Sequence, residues 1–149
     1  MHQVDSPAFD DAGNLYGTYS GSRGERSSVS VFRIQSNGYR QPFVTGITNA
    51  TSMAFSPEGQ LYVSSRFEGC VYRVSRDGSY EAVVSELGVA CGIAFNDDGT
   101  MYVGDRSGTI FRVSTSGHAT AFATLPPSIA AFHLSLGEGG NVFASATTL

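Results

Sequence analysis

Five side chains could take part in binding or catalysis, and three of them are arginines. The candidates for a channel-rim site are Arg23, Arg66, Asp105, Arg106 and His133. A guanidinium group donates two parallel hydrogen bonds to a carboxylate or a phosphate, so a group of arginines favours an anionic ligand. Asp105 and the arginines could equally pair with one another or cap turns. His133 could act as a base or a ligand, or be a hydrogen-bonded core residue.

A repeated glycine turn predicts the elements that position these side chains. Four times a glycine is followed by an apolar and aromatic strand, in Gly13–Tyr16, Gly59–Tyr62, Gly99–Tyr102 and Gly140–Phe143. The glycines recur after 46, 40 and 41 residues (from 13 to 59, to 99 and to 140). This period is typical of one β-propeller blade. Because that scaffold supports enzymes and binding modules alike, function has to be inferred from individual sites.

Each complete repeat is predicted to form four short strands between glycine-containing turns. In the second repeat they are Thr51–Phe55, Gln60–Ser65, Cys70–Ser75 and Ser79–Ser85, and in the third Cys91–Phe95, Thr100–Gly104, Thr109–Ser114 and His118–Thr124. The fourth repeat supplies an inner and a second strand, Ala131–Leu136 and Asn141–Thr147.

We therefore predict an all-β fold of β-propeller blades, each of four antiparallel strands, with about three and a half blades. The single partial domain covers residues 1–149, with blades at about 6–50, 51–90, 91–130 and a half-blade at 131–149. A propeller must close to cover its end blades. We expect self-association as a homodimer or higher oligomer, or the remaining blades of a longer chain.

Two recurring sets of side chains are predicted to be structural. Arginines recur at one third-strand position, where the stem can cover apolar surface and the guanidinium can reach an acidic turn. They are Arg33, Arg73 and Arg112. A repeated aromatic set is predicted to form the blade core, and it consists of Phe9, Phe55, Phe95, Tyr16, Tyr62 and Tyr102.

The first repeat contains an insertion. The polar stretch 20–28 carries six extra residues between its second and third strands, including Arg23. In a propeller this connection lies on the rim where inner strands begin, so the stretch could be a recognition loop or lid. The alternative is a solvated loop without a ligand.

Composition excludes several function classes. The net charge of −4, from 13 acidic and 9 basic residues, provides no basic stripe, so we expect no nucleic-acid partner. No apolar run approaches the roughly 20 residues of a membrane helix. The first 30 residues lack a signal-peptide pattern, which predicts a soluble chain of unmarked compartment. Cys70 and Cys91 lie at different places in the repeat and are expected to be free and buried.

Two segments resemble blades of NHL-repeat proteins and of gluconolactonase-like (senescence marker protein) propellers. They are Met53–Val63 and Ile93–Asp105. Complete lactonase-type members are six-bladed and hold a divalent metal in the channel, with an Asn before the Gly that opens an inner strand. This chain has Cys91 at that place and Thr51 one repeat earlier, with Asn49 only as a displaced candidate. We therefore expect no metal site in one chain, although calcium or another divalent metal remains the cofactor that the resemblance implies.

Three functions remain open. The missing ligands favour a non-catalytic repeat module, a fragment or a self-assembling half-propeller, that acts as a binding scaffold. The alternative is a gluconolactonase-like, metal-dependent lactone hydrolase whose site is completed by another chain or by residues not present here. A third is a vestigial or engineered sequence selected only for folding.

Overall fold

The computed structural model describes residues 6–130 and 132–147. These residues form fourteen β-strands and one short 3-10 turn. No helix among them is long and apolar enough to cross a membrane. Residues 1–5 and 148–149 of the predicted domain, and Ala131 at the predicted start of the last inner strand, lie outside the described residues.

The strands form three four-stranded antiparallel sheets and one two-stranded sheet, each in sequence order. Blade 1 consists of β1 (Pro7–Phe9), β2 (Leu15–Thr18), β3 (Val31–Ile34) and β4 (Arg40–Val44). Blade 2 consists of β5 (Ala50–Phe55), β6 (Leu61–Ser65), β7 (Cys70–Val74) and β8 (Tyr80–Val84). Blade 3 consists of β9 (Ala90–Phe95), β10 (Met101–Asp105), β11 (Thr109–Val113) and β12 (Ala119–Thr124).

The half-blade pairs β13 (His133–Leu136) with β14 (Val142–Ser145) across a 3-10 turn at Glu138–Gly140. The predicted all-β architecture of about three and a half blades is thereby confirmed. Strand direction alternates within a blade, which creates two rims. We call the side with the first and third turns of each blade the lower rim. The upper rim carries the second turns and the connections between blades.

The repeated glycine is required by the first lower-rim turn. In blade 2 the amide of Gly59 donates to the carbonyl of Ser56 at 2.8 Å. Gly59 has a φ of +75°, which disfavours any residue with a side chain, and the corresponding glycines of blades 1 and 3 also have positive φ. The turn sends the chain back so that Leu61 pairs with Phe55.

Apolar side chains hold the blades together face to face. The buried cluster between blades 1 and 2 contains Tyr16, Val31, Val44, Ile47, Ala50, Met53, Leu61, Val63 and Val74. The cluster between blades 2 and 3 contains Val71, Val84, Leu87, Ala90, Ile93, Met101, Val103 and Val113. Each fully buried aliphatic side chain contributes about 1.5–3 kcal/mol relative to leaving it in water. Cys70 and Cys91 are free and buried, as predicted.

Hydroxyl groups add a repeated bond between neighbouring blades. Thr18 donates to the carbonyl of Thr51 at 3.1 Å, and Ser64, one repeat later, donates to the carbonyl of Cys91 at 2.6 Å. Gly104 holds the third equivalent position, where a Cβ would lie 3.0 Å from the Cβ of Phe132. The third interface therefore replaces a hydroxyl with a buried phenyl ring.

The prediction that Phe9 is core is wrong, because Phe9 is 65% exposed. Phe55 packs against Tyr16 of the preceding blade with ring centroids 5.5 Å apart, and Phe95 packs against Tyr62 at 4.9 Å. Phe9 holds the equivalent place on β1, and no blade precedes β1 among the described residues. The aromatic repeat is thus an interblade contact that needs a neighbour.

Candidate functional site

The insertion loop, residues 20–28, is fastened to blade 2 at the upper rim by Asn49. This side chain is 1% exposed, and its Nδ2 donates to the carbonyls of Gly21 at 3.1 Å and Ser22 at 2.9 Å. Its Oδ1 accepts from the amide of Gly24 at 2.6 Å. Asn49 has a φ of +50°, a conformation that Asn adopts more readily than most residues. The amide that was the displaced metal-ligand candidate is therefore used to hold the loop.

Arg66 holds the same loop from the next turn. Its Nη2 donates to the carbonyl of Gly21 at 3.2 Å. The ring of the neighbouring Phe67 lies close to Gly24, where an added Cβ would be 3.1 Å from the ring. Arg23, at the outer part of the loop, is exposed. The insertion loop of blade 1, predicted as a possible recognition loop, is thus hydrogen-bonded to Asn49 and to Arg66 of blade 2.

Asp105 and Arg106 bind the backbone of the connections on either side of blade 3. The buried Asp105 accepts from the amide of Val89 at 2.8 Å and from the hydroxyl of Ser107. Arg106 donates from Nε to the carbonyl of Ser128 at 3.2 Å. The hydrogen bonds that these groups make correspond to the turn-capping interpretation, and the structure brings no arginine into a bond with Asp105 among the residues it describes.

His133 lies on β13 at the position that Gly92 holds on β9 and Ser52 holds on β5. The Ser52 hydroxyl reaches the amide of Ile93 at 3.3 Å, on the next inner strand. A Cβ on Gly92 would likewise meet the backbone of the strand that follows. This position therefore faces the following blade, and His133 is exposed on the last described flank.

The residues at the three inner-strand entries do not fit a calcium site. Thr51 donates its hydroxyl to the carbonyl of Asn49 at 2.9 Å, and the Cys91 thiol makes the same local bond to Val89 at 3.2 Å. Burial raises the pKa of Cys91, which keeps the thiol protonated. Phe132 holds the third position. Calcium requires six or more oxygen ligands. Among the described residues, no three His, Cys, Asp or Glu side chains are grouped so that they could hold a metal.

A cavity that the sequence did not indicate lies on the lower rim between blades 1 and 2. Its volume is about 470 Å³, within the range of small-molecule sites. The inner wall is apolar and comprises Tyr16, Phe43, Phe55, Leu61 and Val74. The exposed side chains of Asp11, Glu58 and Arg76 lie at the mouth of the cavity, and the half-buried Arg33 also lines it.

Arg33 is the unusual group in this cavity. Its Nε is buried and has no hydrogen-bond partner among the described residues. Its equivalent Arg73 pairs with Glu81, directly opposite on the fourth strand. The residue opposite Arg33 is Gln41. The prediction that the repeated arginines reach acidic turns is therefore wrong for Arg33, and also for Arg73, whose partner Glu81 is a strand residue. The fourth strands have Gln41 in blade 1 where blade 2 has Glu81, and this difference is the sequence signal that Arg33 lacks an acidic partner on the fourth strand.

The turn beside the cavity is held by Asp10. Its carboxylate accepts from the amide and side chain of Asn14 at 2.8 Å each, and from Tyr16 Oη at 3.2 Å. Burial acts to raise the pKa of Asp10, but the bonds from Asn14, Tyr16 and Ala12 outweigh it and hold the pKa below its ordinary value. Burial raises the pKa of Tyr16, while the positive charge of Arg33 acts to lower it. The hydrogen-bond partners of Asp10 therefore belong to its own blade.

No family model matches this chain, and no curated protein sequence matches it significantly. Solved structures do resemble it. Virginiamycin B lyase from Staphylococcus aureus has a TM-score of 0.71 at 13% identity, covering 98% of this chain and 52% of the lyase. A gluconolactonase from Xanthomonas campestris has a TM-score of 0.72 at 18% identity, covering 94% and 55%. An auxiliary nutrient binding protein from Bacteroides thetaiotaomicron has a TM-score of 0.76 at 16% identity, covering 96% and 36%.

The fold is that of a β-propeller. At these identities the likeness concerns the fold alone, and at that level the predicted resemblance to gluconolactonase-like propellers is confirmed. The chain spans about half the length of the lyase and of the gluconolactonase, at 52% and 55%.

Proposed function

We propose that this chain is a binding module of a β-propeller and carries no lactonase-type catalytic site of its own. The observation that supports this most directly is the set of residues at the inner-strand entries. Thr51 and Cys91 bond to nearby carbonyls, and the third place is taken by Phe132. Binding by a propeller of this kind also has a precedent in the nutrient binding protein with which the chain shares its fold.

The module is proposed to work with further blades. Phe9 on the first flank and Phe143 on the last are 65% and 62% exposed. Among the described residues β14 pairs only with β13, which leaves a strand edge open. A second copy related by cyclic symmetry could cover both flanks, as could further blades of a longer chain.

Solution mass tests this proposal first. Light scattering that gives a discrete dimer would support closure between copies, and polydisperse aggregates would support closure by blades outside this chain. A stable monomer with both flanks in water would contradict the need for further blades. Calorimetric titration with calcium is the matched measurement, and tight one-to-one binding by the isolated chain would overturn the non-catalytic assignment.

A lactone hydrolase is the second candidate, and its fold-level similarity to a gluconolactonase is the observation that favours it. In that case the metal ligands come from blades that complete the ring. The closed assembly, supplied with calcium, would then hydrolyse a sugar lactone, and a chelator would abolish the activity. If a closed, calcium-loaded assembly left the rate of lactone hydrolysis at its spontaneous value, this second proposal would be contradicted.

A further inference from the structure

A half-buried arginine whose Nε has no partner is a costly feature, and it distinguishes Arg33 from the repeated arginines of the other blades. Leaving a buried donor unsatisfied costs the desolvation of that group, and the cost is larger when the group is charged. The Nε of Arg33 is such a donor. In the repeat that follows, the equivalent Arg73 lies on the surface and has Glu81 as its partner. Arg112, in blade 3, is exposed to water.

The surroundings of Arg33 form a site with two kinds of wall. Aromatic and aliphatic side chains from both blades line the interior, with Phe43 and Phe55 each in edge contact with Tyr16 at centroid distances of 5.2 and 5.5 Å. An apolar ligand group of modest size can pack against such a surface.

The mouth of the cavity carries two carboxylates, Asp11 and Glu58, beside one arginine, Arg76. Asp11 and Glu58 come from the first turns of neighbouring blades, and the Asp11 carboxylate lies near Gly59, with Oδ2 3.6 Å from an added Cβ. A simple anion would be attracted by Arg33 but repelled by these carboxylates. A ligand with both an anionic and a cationic group satisfies the two regions together.

We propose that this cavity binds a small zwitterionic ligand of the apolar α-amino-acid class. The ligand carboxylate accepts hydrogen bonds from the two terminal Nη groups of Arg33, a pair of donors that can bind a carboxylate in bidentate fashion, because Nε is enclosed. The ammonium group lies toward Asp11 and Glu58, and the side chain packs on Phe43 and Phe55. Both walls come from blades 1 and 2, so the site does not depend on how the ring is completed.

L-Phenylalanine is the probe, measured by isothermal titration calorimetry against two analogues. Phenethylamine lacks the carboxylate, and 3-phenylpropionate lacks the ammonium group. We expect saturable binding of phenylalanine, and binding at least about tenfold weaker for each analogue, the equivalent of about 1.4 kcal/mol for one lost charged contact. No binding of phenylalanine at millimolar concentration, or equal binding of either analogue, would overturn the proposal.

Two variants separate a ligand role of Arg33 from a structural one. Arg33→Gln removes the guanidinium and should abolish binding, while Arg112→Gln, at the exposed equivalent position, should leave it unchanged. Gln41→Glu keeps Arg33 but supplies the carboxylate that blade 2 has at Glu81, so a folded Gln41→Glu protein should also bind at least about tenfold more weakly. Wild-type affinity in Gln41→Glu would contradict the proposal even if Arg33→Gln failed to fold.

Discussion

The upper and lower rims of the interface between blades 1 and 2 differ in whether their buried polar groups have hydrogen-bond partners. At the upper rim Asn49 makes three hydrogen bonds to the insertion loop and Arg66 adds a fourth. At the lower rim the Nε of Arg33 is buried without a partner beside a cavity of about 470 Å³. A satisfied polar network stabilises a particular structure, whereas a buried donor without a partner has a cost and contributes no such bond.

This difference changes where a ligand site should be sought. The predicted candidates Arg66, Asp105 and Arg106 lie at the upper rim. Each of them bonds to backbone groups of its own protein. The lower rim had the weaker sequence signal, and it contains the cavity for which we propose a ligand.

The largest expected effect is the loss of stability when Asn49 is replaced. Asn49→Ala removes three hydrogen bonds from a buried position and places a residue with no polar side chain at a φ of +50°. We expect a loss of about 2–4 kcal/mol in the free energy of unfolding, measured with urea. Asn49→Gly is the control, because Gly accepts the positive φ and loses only the bonds. A loss below about 0.5 kcal/mol in both variants would show that the loop is not fastened there.

The second comparison sets Arg66 against Arg33. Arg66→Met removes the bond to Gly21 and should cost about 1 kcal/mol of unfolding free energy. Arg33→Met removes a donor that has no partner and should be neutral or stabilising without ligand, because the methionine chain still covers the apolar wall. The two variants are measured side by side by urea unfolding in ligand-free buffer. Equal destabilisation would mean that Arg33 also has a structural partner, and the contrast between the rims would then be lost.

The blades could be predicted from the sequence because each blade has the same physical requirement at its first turn. A glycine with positive φ is needed at each first turn, so its spacing marks every blade. The role of Asn49 could not be predicted, since its partners in the insertion loop lie 25 to 28 residues away. Pairing across that distance depends on the path of a loop with no regular pattern. For the same reason the flank position of His133 follows from strand register and not from its neighbours in sequence.

A smaller effect is expected from giving Arg33 the partner that Arg73 has. Gln41→Glu should raise the unfolding free energy by about 0.5 kcal/mol, because cross-strand pairs of opposite charge contribute modestly at partly exposed sites. Thr120→Glu, opposite the exposed Arg112, is the matched control and should gain less. Urea unfolding at low and high salt measures both variants. An equal gain in the two would indicate that the Arg33 environment is no more buried than that of Arg112.

The smallest effect concerns the acid stability of the lower-rim turn. Hydrogen bonds hold the pKa of Asp10 below its ordinary value of 3.8, so the carboxylate form is favoured by the folded state. That contribution is complete above the ordinary pKa and is lost as the pH falls through the lower folded value. Asp10→Asn should therefore flatten the fall in thermal stability below about pH 4, measured by melting temperature between pH 6 and pH 2. Asp11→Asn removes one charge from the same turn but none of these bonds. If both variants follow the same acid profile, the bonds to Asp10 do not stabilise the turn. The lower rim would then lack, among the described residues, a stabilising hydrogen-bond network at this turn as well as a partner for the buried Nε of Arg33.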